Sequence, residues 1–213
     1  MPDVTPTATA WAVVVPVKRL AAAKTRLGLP AADRARLALA MAEDTIRACV
    51  AAGAVRQVVV VTDDPDGAAM AAAAGAVVVA DEPDAGLNPA LRHGARQADA
   101  DVAIATVASD LPSLRADDLD AILSAAAAYP TAIVADAAGT GTVLYAAASA
   151  ASFDPAYGEG SRTAHARGGA VDLTGSAGPR VRRDVDTIED LRNALRLGVG
   201  PATREAIAAL GLG

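Results

Sequence analysis

The stretch AVVVPVKRLAAAKTRL, residues 12–27, constrains the fold more than any other part of this chain. It begins as a continuous apolar, β-branched run, which is typical of a strand buried on both faces of a sheet. Ligands of open α/β sheets bind beyond the carboxyl ends of the strands, so the loop after this strand is placed to contact one. That loop begins after Pro16 and carries four cations, which are Lys18, Arg19, Lys24 and Arg26.

These cations have two interpretations. A single Lys-Arg pair would be explained best as part of a solvated basic loop. Four cations among small Ala residues, in a chain of net charge −6, favour a site for phosphate groups.

Length and composition limit what the chain can be. With 213 residues, it is expected to form one α/β domain spanning 1–213. Its apolar residues are mostly Ala and Val, with one Phe, one Trp and three Tyr, so the core must use small side chains and closely approaching backbones. The few aromatics and the negative charge argue against nucleic-acid and membrane-surface partners.

Other features indicate a cytoplasmic protein. Cys49 is the only cysteine, which excludes an intrachain disulfide and suits a reducing compartment. Residues 1–10 lack the basic and apolar regions of a signal peptide. The small-apolar run 68–80 is too short to span a bilayer.

The rest of the chain alternates predicted strands and helices. Asn88 is expected to cap the third helix with Pro89 at its first position, while Thr187 and Asp190 form a capping-box pattern before a later helix. Cys49 falls on the apolar stripe of the first helix, so it is assigned to the core. Further strands are predicted at 57–62, 76–80, 101–108, 131–135 and 143–146, with short late strands at 171–173 and 179–183. Helices are predicted at 30–52, 66–74, 201–210, and after 89, 116, 161 and 187.

Carboxylates follow several of these strands. Asp110, in the sequence Ser-Asp-Leu-Pro, ends the fourth buried strand, and Asp184 with Asp186 ends a late one. Mg²⁺ prefers one or two carboxylates together with substrate phosphates, so these residues are candidate metal ligands. For Asp110 the alternative is a helix cap. The acidic segment 63–66 is assigned more readily to capping the next helix than to contacting a nucleotide.

Two glycine-rich segments are candidate anion sites. The Gly-Thr-Gly-Thr segment 139–142 offers backbone N–H groups and hydroxyls, although a plain hairpin turn explains it equally well. The segment 153–162 breaks the strand–helix alternation, and Ser161 is placed to open a short helix beside it.

Competing motifs fail at particular positions. Ala23-Lys24-Thr25 resembles the end of a P-loop, but Lys18 and Ala23 stand where its glycines belong. No G-x-G-x-x-G follows the first strand, and no G-x-S-x-G elbow is present. Cations after the first strand and carboxylates after later ones together describe a nucleotidyltransferase, in which catalysis is positioning and charge stabilisation.

Six motifs resemble the actinobacterial phosphoenolpyruvate guanylyltransferases of coenzyme F420 biosynthesis, which are related to the archaeal 2-phospho-L-lactate guanylyltransferases. They are VKRLAAAKTRL (17–27), SDLP (109–112), GTGT (139–142), YGEGS (157–161), DVDT (184–187) and LGVGPAT (197–203), and they span nearly the whole chain. The resemblance implies a Rossmann-like mixed sheet flanked by helices, the nucleotidyltransferase fold of the glycosyltransferase-A type. It also implies that phosphoenolpyruvate and GTP give enolpyruvyl-diphospho-guanosine and pyrophosphate.

The resemblance also assigns residues to roles. Thr142, Gly158 and Ser161 match the phosphoenolpyruvate-binding positions, and Lys24 and Arg26 would contact the GTP phosphates. Lys18 of the same loop is a further candidate for phosphate binding, and the alternative is that it faces solvent. Asp110 and Asp184 match the metal carboxylates, with Asp186 as a neighbour, and Mg²⁺ is the expected cofactor. Two departures are Ser109, where the family has Gly, and Glu159-Gly160, where it has Pro-Asp.

Phosphoenolpyruvate is the expected acceptor, and the alternatives are 2-phospho-L-lactate and 3-phosphoglycerate, which differ from it by small groups. The attacking phosphate oxygen is ionised at pH 7, so no general base is needed, which agrees with a chain of only two histidines. A non-catalytic nucleotide-binding module is the alternative from another class. The choice of GTP over ATP rests on the resemblance alone.

Overall fold

A computed structural model describes residues 9–20, 24–99 and 101–212. Its centre is a seven-stranded sheet of order β3-β2-β1-β4-β6-β5-β7. The strands are β1 Trp11–Pro16, β2 Val55–Val61, β3 Val77–Val79, β4 Ala103–Val107, β5 Thr131–Ala135, β6 Thr142–Ala147 and β7 Val171–Asp172. The helices are α1 Ala31–Ala51, α2 Pro65–Ala73, α3 Leu87–Ala95, α4 Ala116–Ala126, α5 Ser161–Arg167, α6 Pro179–Arg182, α7 Ile188–Leu197 and α8 Pro201–Leu210.

The direction of β6 determines which residues meet at one edge of the sheet. β1 pairs in parallel with β2 and β4, whereas β6 pairs antiparallel with both β4 and β5. The carboxyl ends of β1, β4 and β5 therefore lie at the same edge as the first residue of β6, Thr142. Residues that follow three separate strands are brought next to a residue that begins a fourth.

Alternation along β1 supplies both faces of the sheet with apolar side chains. Val13 and Val15 pack in a cluster with residues of α1, α2 and α4, whereas Ala12 and Val14 pack with residues of α3 on the other face. A third cluster joins α1 to α7 and α8. The mixed α/β class expected from the sequence is confirmed, with helices on both faces.

Small side chains let these layers approach closely, as the composition predicts. Gly94 of α3 lies directly over the sheet, where a Cβ would be 2.6 Å from a methyl of Val61 and 2.8 Å from one of Val14. Both valines are buried. Cys49 is also fully buried in the core as predicted, and burial raises the pKa of its thiol to about 12.

Two predicted elements are wrong. Residues 179–183 do not form a strand: Pro179 fits the first position of the short helix α6, and Arg182 hydrogen-bonds the carbonyls of Ala135 and Asp136. Asp184 consequently follows a helix and not a strand. Asn88 does not cap α3, which begins at Leu87, two residues before the predicted start at Pro89, with Gly86 as its cap. The Asn88 amide instead bonds both backbone groups of Tyr157.

The other predicted elements occur with ends shifted by a few residues, and the capping box of Thr187 and Asp190 is present. Within the described residues, no helix is long and apolar enough to cross a membrane. Two expectations fall partly outside the described residues: the absence of a signal peptide at 1–10, of which 1–8 are not described, and the segment Ala21–Ala23 of the cationic loop.

We predict that Gly94→Ala destabilises the fold. Alanine favours a helix over glycine by about 1 kcal/mol, but overpacking a core costs about 1–3 kcal/mol, and the two valine methyls have no room to move. A net loss of up to about 2 kcal/mol is expected from urea unfolding. Gly175→Ala is the control because a Cβ there meets nothing within 4 Å. Equal or higher stability of Gly94→Ala would contradict this close packing.

Candidate active site

A pocket of about 420 Å³ opens at the edge of the sheet where β1, β4 and β5 end and β6 begins. Eight of the nine site residues predicted from the sequence line it. They are Lys18, Lys24, Asp110, Thr142, Gly158, Ser161, Asp184 and Asp186. The ninth, Arg26, lies outside the lining.

Lys24 is the centre of an ion-pair network in this pocket. Its ammonium contacts the carboxylate of Asp110 and lies 3.0 Å from that of Asp186. The Lys24 side chain is only 10% exposed. Burial alone would lower the pKa of this ammonium, but the two carboxylates raise it above its ordinary value, so Lys24 stays charged.

Asp184 lies among like charges. Burial, together with the carboxylates of Asp110, Asp136 and Asp186, raises the pKa of Asp184 to about 7. The described pocket lining therefore contains four carboxylates against two ammonium groups, those of Lys18 and Lys24. Burial and, after it, this excess of negative charge make an ionised Asp184 unfavourable.

The other cations of the first loop are more exposed than Lys24. Arg26 bonds Asp186 at 2.5 Å, but its side chain is 70% exposed. Arg19 is also exposed and lies 3.5 Å from Asp63. Lys18 lines the pocket without an ion pair among the described residues.

Asp136, which follows β5, was not anticipated as a site residue. Its carboxylate accepts the N–H groups of Thr140 and Gly141 at 3.0 and 2.9 Å, and a Cβ on Gly141 would lie 2.4 Å from it. These two amides of the Gly-Thr-Gly-Thr segment are thus already bonded within the hairpin turn. The idea that they bind an anion is wrong for this structure, because a carboxylate of the protein holds them.

Other residues of the pocket lining carry neutral groups. Thr142 begins β6, and its hydroxyl lies 3.1 Å from Nδ1 of the buried His165 on α5. The hydroxyl of Tyr157 hydrogen-bonds that of Thr106 on β4. Asn88 of α3 holds the backbone of Tyr157 with two hydrogen bonds of 2.8 and 2.9 Å, which places Gly158 at the pocket.

The acidic segment after β2 has a structural role. Asp64 caps α2 as predicted, accepting from the N–H groups of Asp66 and Gly67, and it also accepts the N–H of Leu20 in the cationic loop at 2.9 Å. Within the described part of the chain, one group of three carboxylates has oxygens all within 4.8 Å of one another. It consists of Asp63, Asp81 and Asp84, which lie outside the pocket lining.

Comparison with known families shows which family this chain belongs to. The model of the family described as "Guanylyl transferase CofC like" matches residues 11–213. The chain belongs to this family. A phosphoenolpyruvate guanylyltransferase of Streptomyces scabiei is 54% identical over 209 residues, covering 94% of this chain and 97% of the relative. One of Geodermatophilus obscurus is 54% identical over 201 residues, covering 91% and 92%.

Solved structures agree on the fold. A nucleotidyl transferase of Methanothermobacter thermautotrophicus superposes with a TM-score of 0.62 at 21% identity, covering 88% of this chain and 97% of that one. The manganese complex of Rv0371c from Mycobacterium tuberculosis gives 0.54 at 23% identity, covering 89% and 100%. The expected nucleotidyltransferase fold, family and enzyme class are confirmed.

Sequence reasoning missed three residues of the pocket region. Asp136 carries the same signal as Asp110, a carboxylate directly after a buried strand, and applying that rule to β5 would have found it. The contacts of Tyr157 and His165 have no local signal, because their partners Thr106 and Thr142 lie on strands distant in sequence.

We predict that Lys24→Gln lowers stability in metal-free buffer by about 1–3 kcal/mol, because it leaves partly buried carboxylates without their counter-charge. The matched control, Arg26→Gln, removes an exposed partner of the same Asp186 and should cost less than about 1 kcal/mol. Chemical denaturation of both variants in the presence of a chelator measures the difference. Equal losses would contradict a central role for the Lys24 network.

Proposed function

We propose that this protein joins GTP and phosphoenolpyruvate to give enolpyruvyl-diphospho-guanosine and pyrophosphate, as a step of coenzyme F420 biosynthesis. The observation that carries the proposal is one pocket whose lining brings together Lys24, the half-buried carboxylates of Asp110 and Asp184, and the residues Thr142, Gly158 and Ser161. Relatives about half identical over nearly the whole chain carry this activity in their names.

The cations of the first loop are assigned to GTP. Lys24 would contact the triphosphate and offset the charge that develops on the departing pyrophosphate. Lys18, which lines the pocket, and Arg26, which lies outside the lining, would add positive charge near the triphosphate. This is electrostatic stabilisation by groups that are already in place before the reaction.

The carboxylates fit a hard divalent cation. Four carboxylates face two ammonium groups in the lining, and two phosphorylated substrates would add further negative charge. Asp110 and Asp184 would hold Mg²⁺, with Asp186 beside them, because carboxylate oxygens are the ligands this ion prefers. When bound, the ion neutralises phosphate charge. A related fold binds manganese in Rv0371c.

The neutral groups of the lining are assigned to the acceptor. Thr142, Gly158 and Ser161 would position phosphoenolpyruvate so that an oxygen of its phosphate attacks the α-phosphorus of GTP. A new P–O–P bond forms as the bond from the α-phosphorus to the bridging oxygen of the β-phosphate breaks, releasing pyrophosphate. The second pKa of a phosphate monoester is about 6, so the nucleophile needs no general base.

The proposal extends to the setting of the reaction. We place the protein in the cytoplasm, where both substrates occur. We also treat residues 1–213 as a single nucleotidyltransferase domain, since β1, β4 and β6 contribute residues to one pocket and all seven strands form one sheet. Nucleic acid and membranes are not part of the proposed partners, which are GTP and a small phosphorylated carboxylic acid.

The experiment that tests the function incubates the full chain with GTP, Mg²⁺ and one of three acceptors: phosphoenolpyruvate, 2-phospho-L-lactate or 3-phosphoglycerate. Pyrophosphate release gives the rate, and mass spectrometry identifies the product. The expected result is the fastest turnover with phosphoenolpyruvate. Preference for another acceptor would correct the substrate. Binding of GTP without turnover on any acceptor would identify a non-catalytic module.

We predict that Asp110→Asn lowers turnover by about 10²–10³-fold or more while leaving the fold intact, because it removes a ligand charge at the reacting phosphates. Asp117→Asn makes the same chemical change on the exposed start of α4 and should keep wild-type turnover. Pyrophosphate release and circular dichroism compare the two variants. Near-normal turnover of Asp110→Asn would exclude this residue as a metal ligand.

A further inference from the structure

His165 occupies a position that the charge-based mechanism does not use. It lies on α5, is 2% exposed, and packs between two tyrosines. Its ring stacks on that of Tyr145 with 4.7 Å between centroids, and it meets the Tyr157 ring edge-on at 5.0 Å. A buried imidazole must satisfy both of its nitrogens.

The hydrogen bonds of the ring determine where its proton lies. The backbone N–H of Ala156 donates to Nε2 of His165 at 2.8 Å. A backbone amide is always a donor, so Nε2 carries no hydrogen, and in the neutral ring the proton is on Nδ1. Burial lowers the pKa of His165, although the backbone of Ser161 and the charge of Asp154 act in the opposite direction, so the neutral ring is favoured.

This tautomer determines whether the neighbouring hydroxyl accepts or donates in its hydrogen bond with His165. Nδ1 lies 3.1 Å from Oγ1 of Thr142, so Nδ1–H donates and the Thr142 oxygen accepts. His165 is the one hydrogen-bond partner of that hydroxyl within the described part of the chain. The hydroxyl proton is therefore free to point into the pocket, which Thr142 lines.

A hydroxyl held in this way is a donor, and its natural partner is an anionic oxygen. We propose that His165 is a positioning residue that commits the Thr142 hydroxyl to donate to the phosphorylated acid bound in the pocket. The same ring joins β6, the backbone before Gly158 and helix α5. It thereby holds Thr142, Gly158 and Ser161, the three residues assigned to the acceptor, in fixed positions relative to one another. The identity of the ligand rests on the proposed function; the hydrogen-bond arrangement does not.

The arrangement is tested first without any substrate. Long-range ¹H–¹⁵N correlation spectra of the full-length protein report which imidazole nitrogen carries the proton, and His93→Gln leaves His165 as the only histidine in the spectrum. The expected spectrum shows protonated Nδ1 and unprotonated Nε2 at neutral pH. Thr142→Val should shift the Nδ1 signal. An Nε2–H tautomer or an imidazolium would overturn the proposal.

The consequence for the acceptor is tested by kinetics. His165→Phe keeps a ring and removes both nitrogens, and we expect it to raise the KM for phosphoenolpyruvate about 10–100-fold, the loss of one hydrogen bond to a charged group. The KM for GTP should change less than about threefold. His165→Asn, whose side-chain amide can still donate to Thr142, should recover part of the loss. His93→Phe is the matched control on α3, outside the pocket lining.

A double-mutant comparison separates positioning from a merely structural role. If His165 acts through the Thr142 hydroxyl, His165→Phe adds little to the KM of Thr142→Val. Independent multiplication of the two effects would overturn the proposal, as would equal rises in both substrates' KM values. If His165→Phe does not fold, His165→Asn and the spectra decide. Failure of the wild type to use any acceptor would count against the proposed function, and the tautomer would still be read from the spectra.

Discussion

The ammonium of Lys24 is the charge around which the pocket is built. It contacts carboxylates that lie 86 and 162 residues further along the chain, at Asp110 and Asp186. Lys24 adopts a left-handed backbone conformation, with φ 55°, which costs a residue with a side chain about 1–2 kcal/mol. Its ion pairs with the carboxylates of Asp110 and Asp186 hold the side chain there.

The position of the Lys24 charge beside its carboxylate partners depends on the topology of the sheet. Parallel strands β1 and β4 deliver the loop of Lys24 and the carboxylate of Asp110 to the same edge, and the antiparallel β6 delivers Thr142 there from the opposite chain direction. Close packing of the layers depends on small residues such as Gly94, which lets α3 approach the sheet. From α3, Asn88 reaches the backbone of Tyr157 and completes the acceptor wall.

These features explain how far the sequence could predict the site. Lys24 and Asp110 could be predicted as site residues because a buried strand is recognisable from its β-branched run. The loop after such a strand lies at the ligand-binding edge of the sheet. The role of Asn88 was predicted wrongly because capping is a local rule, whereas its actual partner, Tyr157, lies 69 residues away. The segment 179–183 was misassigned because Arg182 bonds the end of β5, which no pattern within the segment indicates.

The presence of both cations and neutral donors in the pocket lining has a chemical reason under the proposed function. Positive charge assists the reaction where negative charge increases, on the leaving pyrophosphate, and the two ammonium groups of the described lining both belong to the loop after β1. A cation paired with the acceptor phosphate would instead reduce the nucleophilicity of the attacking oxygen. Neutral donors hold that phosphate without this penalty. The buried, neutral His165 donates to the Thr142 oxygen and leaves the Thr142 hydroxyl to donate to the phosphate. This requirement is thus met with hydrogen bonds alone.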